Sequence, residues 1–152
     1  MDNRDQEILR ELQRDASISV EDLAEKVNLS RNACWRRIKL MEQHGIIRAK
    51  VVLLDPSKLN LALKVFMSIR TAQHDQPWLE QFSAAVRDIP EIVGIYRTTG
   101  ETDYVLHAIV PDIASYDRLY KRLIANVPLA DVSSSFVMEQ VKETTELPLN
   151  HL

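Results

Sequence analysis

The chain has 152 residues, of which 45% are hydrophobic, and a formal net charge of −3. This length suits one domain or two small ones, and the apolar share is enough for a buried core, which argues against global disorder. No apolar run reaches the roughly 18 residues that a membrane span needs. The N-terminus is charged and resembles no signal peptide, and the single cysteine excludes an internal disulfide. We therefore expect a cytoplasmic protein with no membrane partner.

The charge is unevenly distributed along the chain. Residues 1–30 hold four Lys or Arg and eight Asp or Glu, whereas residues 31–50 hold six Lys or Arg and one acid, Glu42. The second segment therefore carries a net charge of +5 within an acidic chain. Such a basic island indicates either a nucleic-acid footprint on one element or a solvated basic helix face.

Three short helices are predicted in the first 45 residues. Ile8, Leu9 and Leu12 share one face of the first helix. Ser19 is a good N-cap for the second helix. After the turn "NLS", Ser30 caps a third helix that runs to about His44 and ends at Gly45. The short turn between the last two helices is typical of a helix-turn-helix, and the β-rich "IIRAKVVLLD" predicts a strand pair or a wing strand after it.

The third helix has two chemically different faces at 100° per residue. Cys34, Ile38 and Met41 fall on one side, where we expect the core. The other side and its flanks present groups suited to base edges and phosphates, and Arg37 lies near the buried edge, where its head can reach a phosphate or an acid. Trp35 can pack or can touch DNA. The candidate DNA-binding residues are Ser30, Arg31, Asn32, Trp35, Arg36, Arg37 and Lys39.

The stretch "LAEKVNLSRNACWRRIKLMEQHGIIRAKVVLLDPSKLNL" resembles the N-terminal domain of the Lrp/AsnC family of transcription regulators. The resemblance rests on "LA…V.LS", "C.RR", "ME..GII" and "LDP..L.L" in this order, since each motif alone is common. It implies a helix-turn-helix protein that binds double-stranded DNA, assembles as a homodimer or a higher oligomer such as an octamer, and responds to a small amino acid.

The periodicity changes after "DPSKLN", which reads as a hinge at residues 55–60. The remaining segments predict strand, helix, strand, strand, helix and strand, the βαββαβ order of a ferredoxin-like domain. The expected fold class is therefore α+β. A winged helix-turn-helix domain at residues 1–54 precedes a ferredoxin-like domain at residues 61–152, which in the Lrp/AsnC family senses the ligand and forms oligomers.

The segment "TGETDYVL" resembles the ligand loop of that family, although Thr102 stands where an aromatic residue is frequent. The resemblance implies an effector site at this loop, completed by the last strand and a neighbouring subunit. Asp103 would accept a hydrogen bond from an α-ammonium group, and the loop amides would hold the carboxylate. The alternative is a plain hairpin turn that Asp103 caps. The candidate effector-binding residues are Gly100, Glu101, Thr102, Asp103, Tyr104 and Ser134.

Enzymatic functions fit the sequence less well. The four histidines are dispersed, no phosphate loop or nucleophile motif occurs, and we expect no catalytic residue, no metal and no cofactor. One enzymatic alternative comes from relatives of the Lrp/AsnC family that act as haem-pathway decarboxylases; another alternative is a ligand-binding protein with no DNA role. The C-terminal "SSSFVMEQVKETTELPL" also resembles the cysteine-responsive branch of the family, which makes cysteine the first candidate effector.

Overall fold

The computed structural model describes residues 1–73 and 75–152, and the chain divides into two units. One unit combines residues 1–53 with residues 141–152, and the other spans residues 54–140. The sequence assigned residues 141–152 to the second domain, whereas in the structure they group with the first. The histidine at position 74, one of the four dispersed histidines, lies outside the described residues. No helix in the described part of the chain is long and apolar enough to cross a membrane.

The first unit, called the head below, contains three helices: α1 (Asn3–Arg14), α2 (Val20–Lys26) and α3 (Arg31–Gln43). Side chains cap all three N-termini, and at α1 Asp2 and Asp5 form a reciprocal capping box. Gly45 has a φ of +71° just after α3, which is why glycine suits this stop. The helices enclose one apolar cluster made of Ile8, Leu9, Leu23, Ala24, Val27, Cys34, Ile38 and Met41.

The wing strand that the sequence favoured does not form within the described chain. Residues 48–55 are in neither helix nor strand, and the four aliphatic side chains from Val51 to Leu54 are between 67% and 84% exposed. A β-prone segment needs a second strand to take up its backbone hydrogen bonds, and none lies beside this one in the described residues. The segment is therefore an exposed apolar run that pairs with no strand of the described residues.

The second unit, called the sensor below, has the order β1 (Leu63–Arg70), α4 (Gln76–Arg87), β2 (Ile92–Arg97), β3 (Tyr104–Val110), α5 (Ile113–Asn126) and β4 (Asp131–Phe136). The strands form one antiparallel sheet in the order β2-β3-β1-β4, which is the predicted ferredoxin-like arrangement. A 3₁₀ turn at Pro56–Leu59, capped by Asp55, precedes β1.

The sensor core lies between one face of the sheet and the two helices. Alternate residues of β3 are buried, and they pack with residues of β1, α4 and α5. Helical periodicity in the sequence predicts a buried stripe on α5 made of Ile113, Tyr116, Tyr120, Leu123 and Val127. The Ile113 side chain, however, is 58% exposed. Leu119, which the stripe omitted, is fully buried. The actual buried face of α5 therefore runs along Leu119 and Leu123, because the helix is rotated slightly from the predicted stripe.

Leu119→Ala tests this placement of α5. Removing a fully buried leucine leaves a cavity, so the free energy of unfolding should fall by about 2–5 kcal/mol. Ile113→Ala, on the same helix but exposed, should change it by no more than about 0.5 kcal/mol. Urea denaturation of both variants measures the two values, and equal losses would contradict the assigned rotation of α5.

Candidate functional site

Helix α3 separates its two faces as the sequence predicted. Cys34, Ile38 and Met41 are buried against α1 and α2, with Cys34 fully inaccessible. Burial raises the pKa of the Cys34 thiol, so it stays protonated and unreactive, as expected of a small core side chain. The opposite face of α3 is exposed and carries most of the candidate DNA-binding side chains.

Arg37 is held by the start of α1. One nitrogen of its guanidinium, Nη1, lies 2.8 Å from a carboxylate oxygen of Asp2 and 2.8 Å from one of Asp5. Hydrogen bonds to Asp5 and then to Asp2 raise the pKa of Arg37. Of the two partners that the sequence allowed for this head group, a phosphate or an acid, the structure supplies the acid. The capping-box residues therefore also pin α3 to α1.

The other cations of α3 differ in how much of their charge is already neutralised. Arg31 is paired with Glu21 of α2, and Lys39 Nζ lies 2.7 Å from Glu42 Oε2. Both pairs are exposed, and such pairs contribute at most about 1 kcal/mol, so a phosphate can replace the acid at little cost. Arg36 is exposed and makes no ion pair with any described residue. It is thus the most available cation on this face.

The first turn of α3 supplies the remaining candidates. Ser30 Oγ accepts a hydrogen bond from the main-chain N–H of Ala33 at 3.2 Å, so its side chain is used by the cap. Asn32 is exposed, and Trp35 is 53% exposed. The first N–H groups of a helix attract anions, which suits a phosphate at this end. An indole so exposed does not serve the core, so Trp35 is available to a partner.

The loop between β2 and β3 is a tight turn with a glycine at its tip. Gly100 has a φ of +108°, a conformation that favours glycine. Thr98 closes the loop: its N–H donates to the Asp103 carbonyl at 2.9 Å, and its hydroxyl donates to the Thr102 carbonyl at 2.6 Å. The loop is therefore ordered by its own hydrogen bonds rather than by a ligand.

Asp103 fastens this loop to the end of β1. Its Oδ2 accepts a hydrogen bond from the N–H of Thr71 at 2.8 Å, and its own N–H donates to the Ile69 carbonyl at 2.9 Å. Tyr104 follows with its ring in the sensor core, 4.9 Å from the ring of Phe82. Through this contact the Asp103 side chain holds the end of β1, whereas Thr98 closes the hairpin itself. The buried Tyr104 side chain lines a small cavity with Trp78 and Arg97.

Ser134 does not lie beside Asp103 within one chain. The sheet order places β1 between β3 and β4, and Ser134 is level with Leu106 rather than with Asp103, so two strand spacings of about 9–10 Å and an offset along the strands separate the two. Ser134 instead faces α5, where the Tyr116 hydroxyl donates to its Oγ at 2.6 Å. The Phe136 ring packs edge-on against Tyr116, with centroids 5.0 Å apart, and fixes its orientation. Neither contact was predicted, because both depend on strand order.

Potential metal ligands do not cluster in the described part of the chain. Among residues 1–73 and 75–152, no group of three or more His, Cys, Asp or Glu side chains could hold a metal ion. His107 lies on the sheet face away from the helices, where its ring stacks on Phe66 with centroids 4.8 Å apart. The chemically distinctive surfaces of the described chain are thus the cationic face of α3 and the β2–β3 loop.

Comparison with known families matches both units. Residues 1–48 match the model of a winged helix-turn-helix DNA-binding domain, and residues 64–147 match that of the Lrp/AsnC ligand-binding domain. The glutamate uptake regulatory protein of Zymomonas mobilis is 48% identical, over 98% of this chain and 91% of that protein. The DNA-binding transcriptional activator DecR of Escherichia coli K12 is 45% identical, over 98% of this chain and 99% of that protein.

Solved structures show the same two-part architecture. The crystal structure of an AsnC family transcriptional regulator from Agrobacterium tumefaciens aligns with a TM-score of 0.96 and 55% identity, over 100% of this chain and 99% of that one. A transcriptional regulator from Neisseria meningitidis, solved as a complex with L-methionine, aligns with a TM-score of 0.95 and 37% identity, over 99% and 98% of the two chains.

The different environments of Arg36 and Arg37 lead to a prediction. Arg36→Ala should weaken binding to a specific duplex by about 1–3 kcal/mol if the guanidinium group forms two hydrogen bonds to a base edge. Arg36→Lys keeps the charge but loses the planar guanidinium group. A contact to a base is therefore lost in both variants, whereas a contact to a phosphate is lost only in Arg36→Ala. Arg37→Ala should instead lower the melting temperature of the head, because it leaves two carboxylates without their cation.

Fluorescence anisotropy on a specific and a random duplex, together with thermal unfolding, separates these cases. If Arg36 contacts only phosphate, both duplexes should lose affinity equally and the salt slope should decrease by about one unit. Unchanged affinity of Arg36→Ala for both duplexes would remove Arg36 from the interface.

Proposed function

The chain belongs to the Lrp/AsnC family of DNA-binding transcriptional regulators, and from this premise we propose that a small amino acid, bound by the β2–β3 loop at a subunit interface, modulates its DNA binding. The observation that carries the proposal is that the two units present chemically different surfaces. The head exposes a cationic helix face, and the sensor carries an ordered glycine loop in a domain of the ligand-binding type.

For the head, we propose that α3 enters the major groove. Arg36 and Asn32 are placed to read base edges, while Arg31, Lys39 and the Ser30 end of the helix contact phosphates. Trp35 contacts a sugar or a thymine methyl from the flank. Arg37 acts mainly by fixing α3 against α1, since its charge is already balanced by two acids.

For the sensor, we propose that residues 100–103 and the main chain of Tyr104 form half of the effector site. An amino-acid ligand needs donors for its carboxylate and an acceptor for its ammonium group. Loop N–H groups, including those of Glu101 and Thr102, would supply the donors. Because β1 separates Ser134 from this loop, Ser134 would join the site from a neighbouring subunit, as the family resemblance implies.

The effector is proposed to be a small or apolar amino acid. The neighbour from N. meningitidis was solved with L-methionine, and its 37% identity over nearly the whole chain makes methionine a reasonable first probe. Cysteine is the second, because the C-terminal strand and tail resemble the cysteine-responsive branch. A thermal-shift screen of the twenty amino acids tests both, since a ligand that binds only the folded state raises the melting temperature.

The two roles of Asp103 can be separated by two substitutions. Asp103→Asn keeps an oxygen that can accept from the Thr71 N–H but loses the charge, whereas Asp103→Ala loses both. If the carboxylate also binds an ammonium group, Asp103→Asn should lose at least about 1–3 kcal/mol of amino-acid affinity and keep its melting temperature.

Isothermal titration calorimetry with L-methionine and L-cysteine, beside thermal unfolding, gives the two readouts. A variant Asp103→Ala that unfolds at lower temperature but binds as wild type would assign Asp103 to the fold alone. The ligand-free protein should still bind DNA in either variant, which provides the control for folding.

We further propose that the protein works as a homodimer built on the sheet face that the helices leave open. Phe66 and Tyr96 on that face are 39% and 57% exposed, which is unusual for aromatic side chains in a sheet. Two-fold pairing would place two heads on a pseudo-palindromic site, with half-sites about 34 Å or a multiple apart. Dimers would then assemble further, up to an octamer, through the effector sites.

Phe66→Glu tests the open face as the dimer interface. A buried, unpaired charge there should shift the protein from twice the chain mass of 17.5 kDa towards the single chain. Ile124→Glu, on the exposed side of α5, is the matched control and should leave the mass unchanged. Light scattering at micromolar concentration measures both, and a wild-type monomer or an unaffected Phe66→Glu dimer would contradict the proposal.

The proposed role is not enzymatic. The relatives named above are transcription regulators, and a haem-pathway decarboxylase would have no use for a DNA-reading helix. We propose that the protein acts in the cytoplasm, where a transcription regulator would meet genomic DNA.

A further inference from the structure

The C-terminal tail, residues 141–152, lies against the head although it follows the last strand of the sensor. The Gln13 side chain of α1 binds the main chain of Leu147 twice: Oε1 accepts from its N–H at 2.6 Å, and Nε2 donates to its carbonyl at 3.3 Å. Arg14 lies 3.5 Å from Glu146. The Gln13 side chain thus bonds to both main-chain polar groups of one residue, as a bound peptide segment is commonly held.

Apolar and buried polar contacts extend the docking beyond Gln13. Leu149 packs against the apolar cluster of the head. Gln6, which is only 8% exposed, donates from Nε2 to the Leu152 carbonyl at 3.2 Å. The first and the last turn of α1 thus carry residues that hold the tail, and the docked part comprises residues 146–152.

The chain between the sensor and the docked tail is short. After β4, the Val137 N–H donates to the Lys64 carbonyl at 2.9 Å, and Gln140 Oε1 accepts from Lys64 Nζ at 2.6 Å, so residues 137–140 stay beside β1. Residues 141–145 then connect to Glu146. Five connecting residues can span at most about 20 Å. The chain therefore passes between the two units twice, near residue 53 and near residue 140.

We propose that α1 is a docking surface for the chain's own C-terminal tail, and that this docking gives the head a second tether to the sensor. A head tied to the sensor only by the chain near residue 53 could turn about one point. A head tied at two separate points is restricted in orientation. When the sensors of an assembly rearrange, the heads must then move with them, because a single hinge no longer allows them to turn freely. The restricted orientation is inferred from the tail contacts, whereas its use in regulation rests on the proposed function.

Lengthening the tether without disturbing its contacts tests the proposal in the full chain. Ten Gly/Ser residues inserted between Val141 and Lys142, where Val141 is 89% exposed, leave residues 146–152 free to dock. The same ten residues appended after Leu152 are the matched control, because they add mass and flexibility but no tether length. Gln13→Ala provides an independent variant that weakens docking itself.

Nitrogen-15 relaxation of the main-chain amides gives the rotational correlation time of each unit without DNA or effector. In wild type and in the appended control, head and sensor should tumble together. In the insertion variant and in Gln13→Ala, the correlation time of the head should fall below that of the sensor. Equal correlation times in the insertion variant, or independent head motion already in wild type, would overturn the second tether.

A second readout separates this inference from the proposed function. If the tether carries regulation, the insertion variant should retain wild-type affinity for L-methionine and for a random duplex, but the ratio of DNA affinities with and without L-methionine should move towards one. Failure of wild type to respond to any amino acid would count against the proposed effector and leave the relaxation result to decide the tether. An undiminished ratio in the insertion variant would refute the regulatory use.

Discussion

The position of β1 in the centre of the sensor sheet governs what one copy of this chain can do. Because β1 lies between β3 and β4, the glycine loop at the start of β3 and the hydroxyl of Ser134 on β4 cannot meet within a chain. The proposed effector site therefore combines the loop of one copy with Ser134 of another. In such a site ligand binding and assembly would be thermodynamically linked: whatever stabilised the assembled form would raise ligand affinity, and the ligand would favour assembly by the same factor.

The same sheet leaves one face without helices, and this is the face proposed above for the homodimer. Aromatic and aliphatic side chains stand there at positions where a single copy keeps them in water, which is unfavourable by roughly 25 cal/mol for each Å² that could be buried. The extended run at residues 51–54 has the same property in the head-proximal linker. An isolated chain therefore exposes apolar area at two places that assembly can cover.

Sequence reasoning succeeded where the determining interactions are local. The caps Ser19 and Ser30 were readable because each bonds to a residue three positions away, and the buried stripe of α3 followed from helical periodicity. Contacts set by the tertiary fold were not readable. The partner of Arg37 was left open between acid and phosphate, since Asp5 lies 32 residues earlier, although "DNRD" does signal the capping box itself.

The missing strand at residues 48–55 and the grouping of residues 141–152 with the head were not readable for a related reason. β-propensity predicts that a segment can be extended but not that a partner strand is present, and residues 48–55 have none in the described chain. Likewise, nothing in "TELPL" indicates that its main chain binds a glutamine 134 residues earlier. The roles of individual site residues remain predictions, because they depend on ligands and on neighbouring copies.

The contact between Arg37 and the start of α1 also makes the head sensitive to acid. Hydrogen bonds from the Asp5 N–H and then from Arg37 hold the pKa of Asp2 below its ordinary value. A carboxyl group whose pKa is lower in the folded state stabilises that state above its unfolded pKa of about 3.9, and this contribution is lost as the pH falls through the lower folded value. Protonation of Asp2 would leave Arg37 with Asp5 as its remaining partner, so one of the two ion pairs that join α3 to the start of α1 is lost in acid.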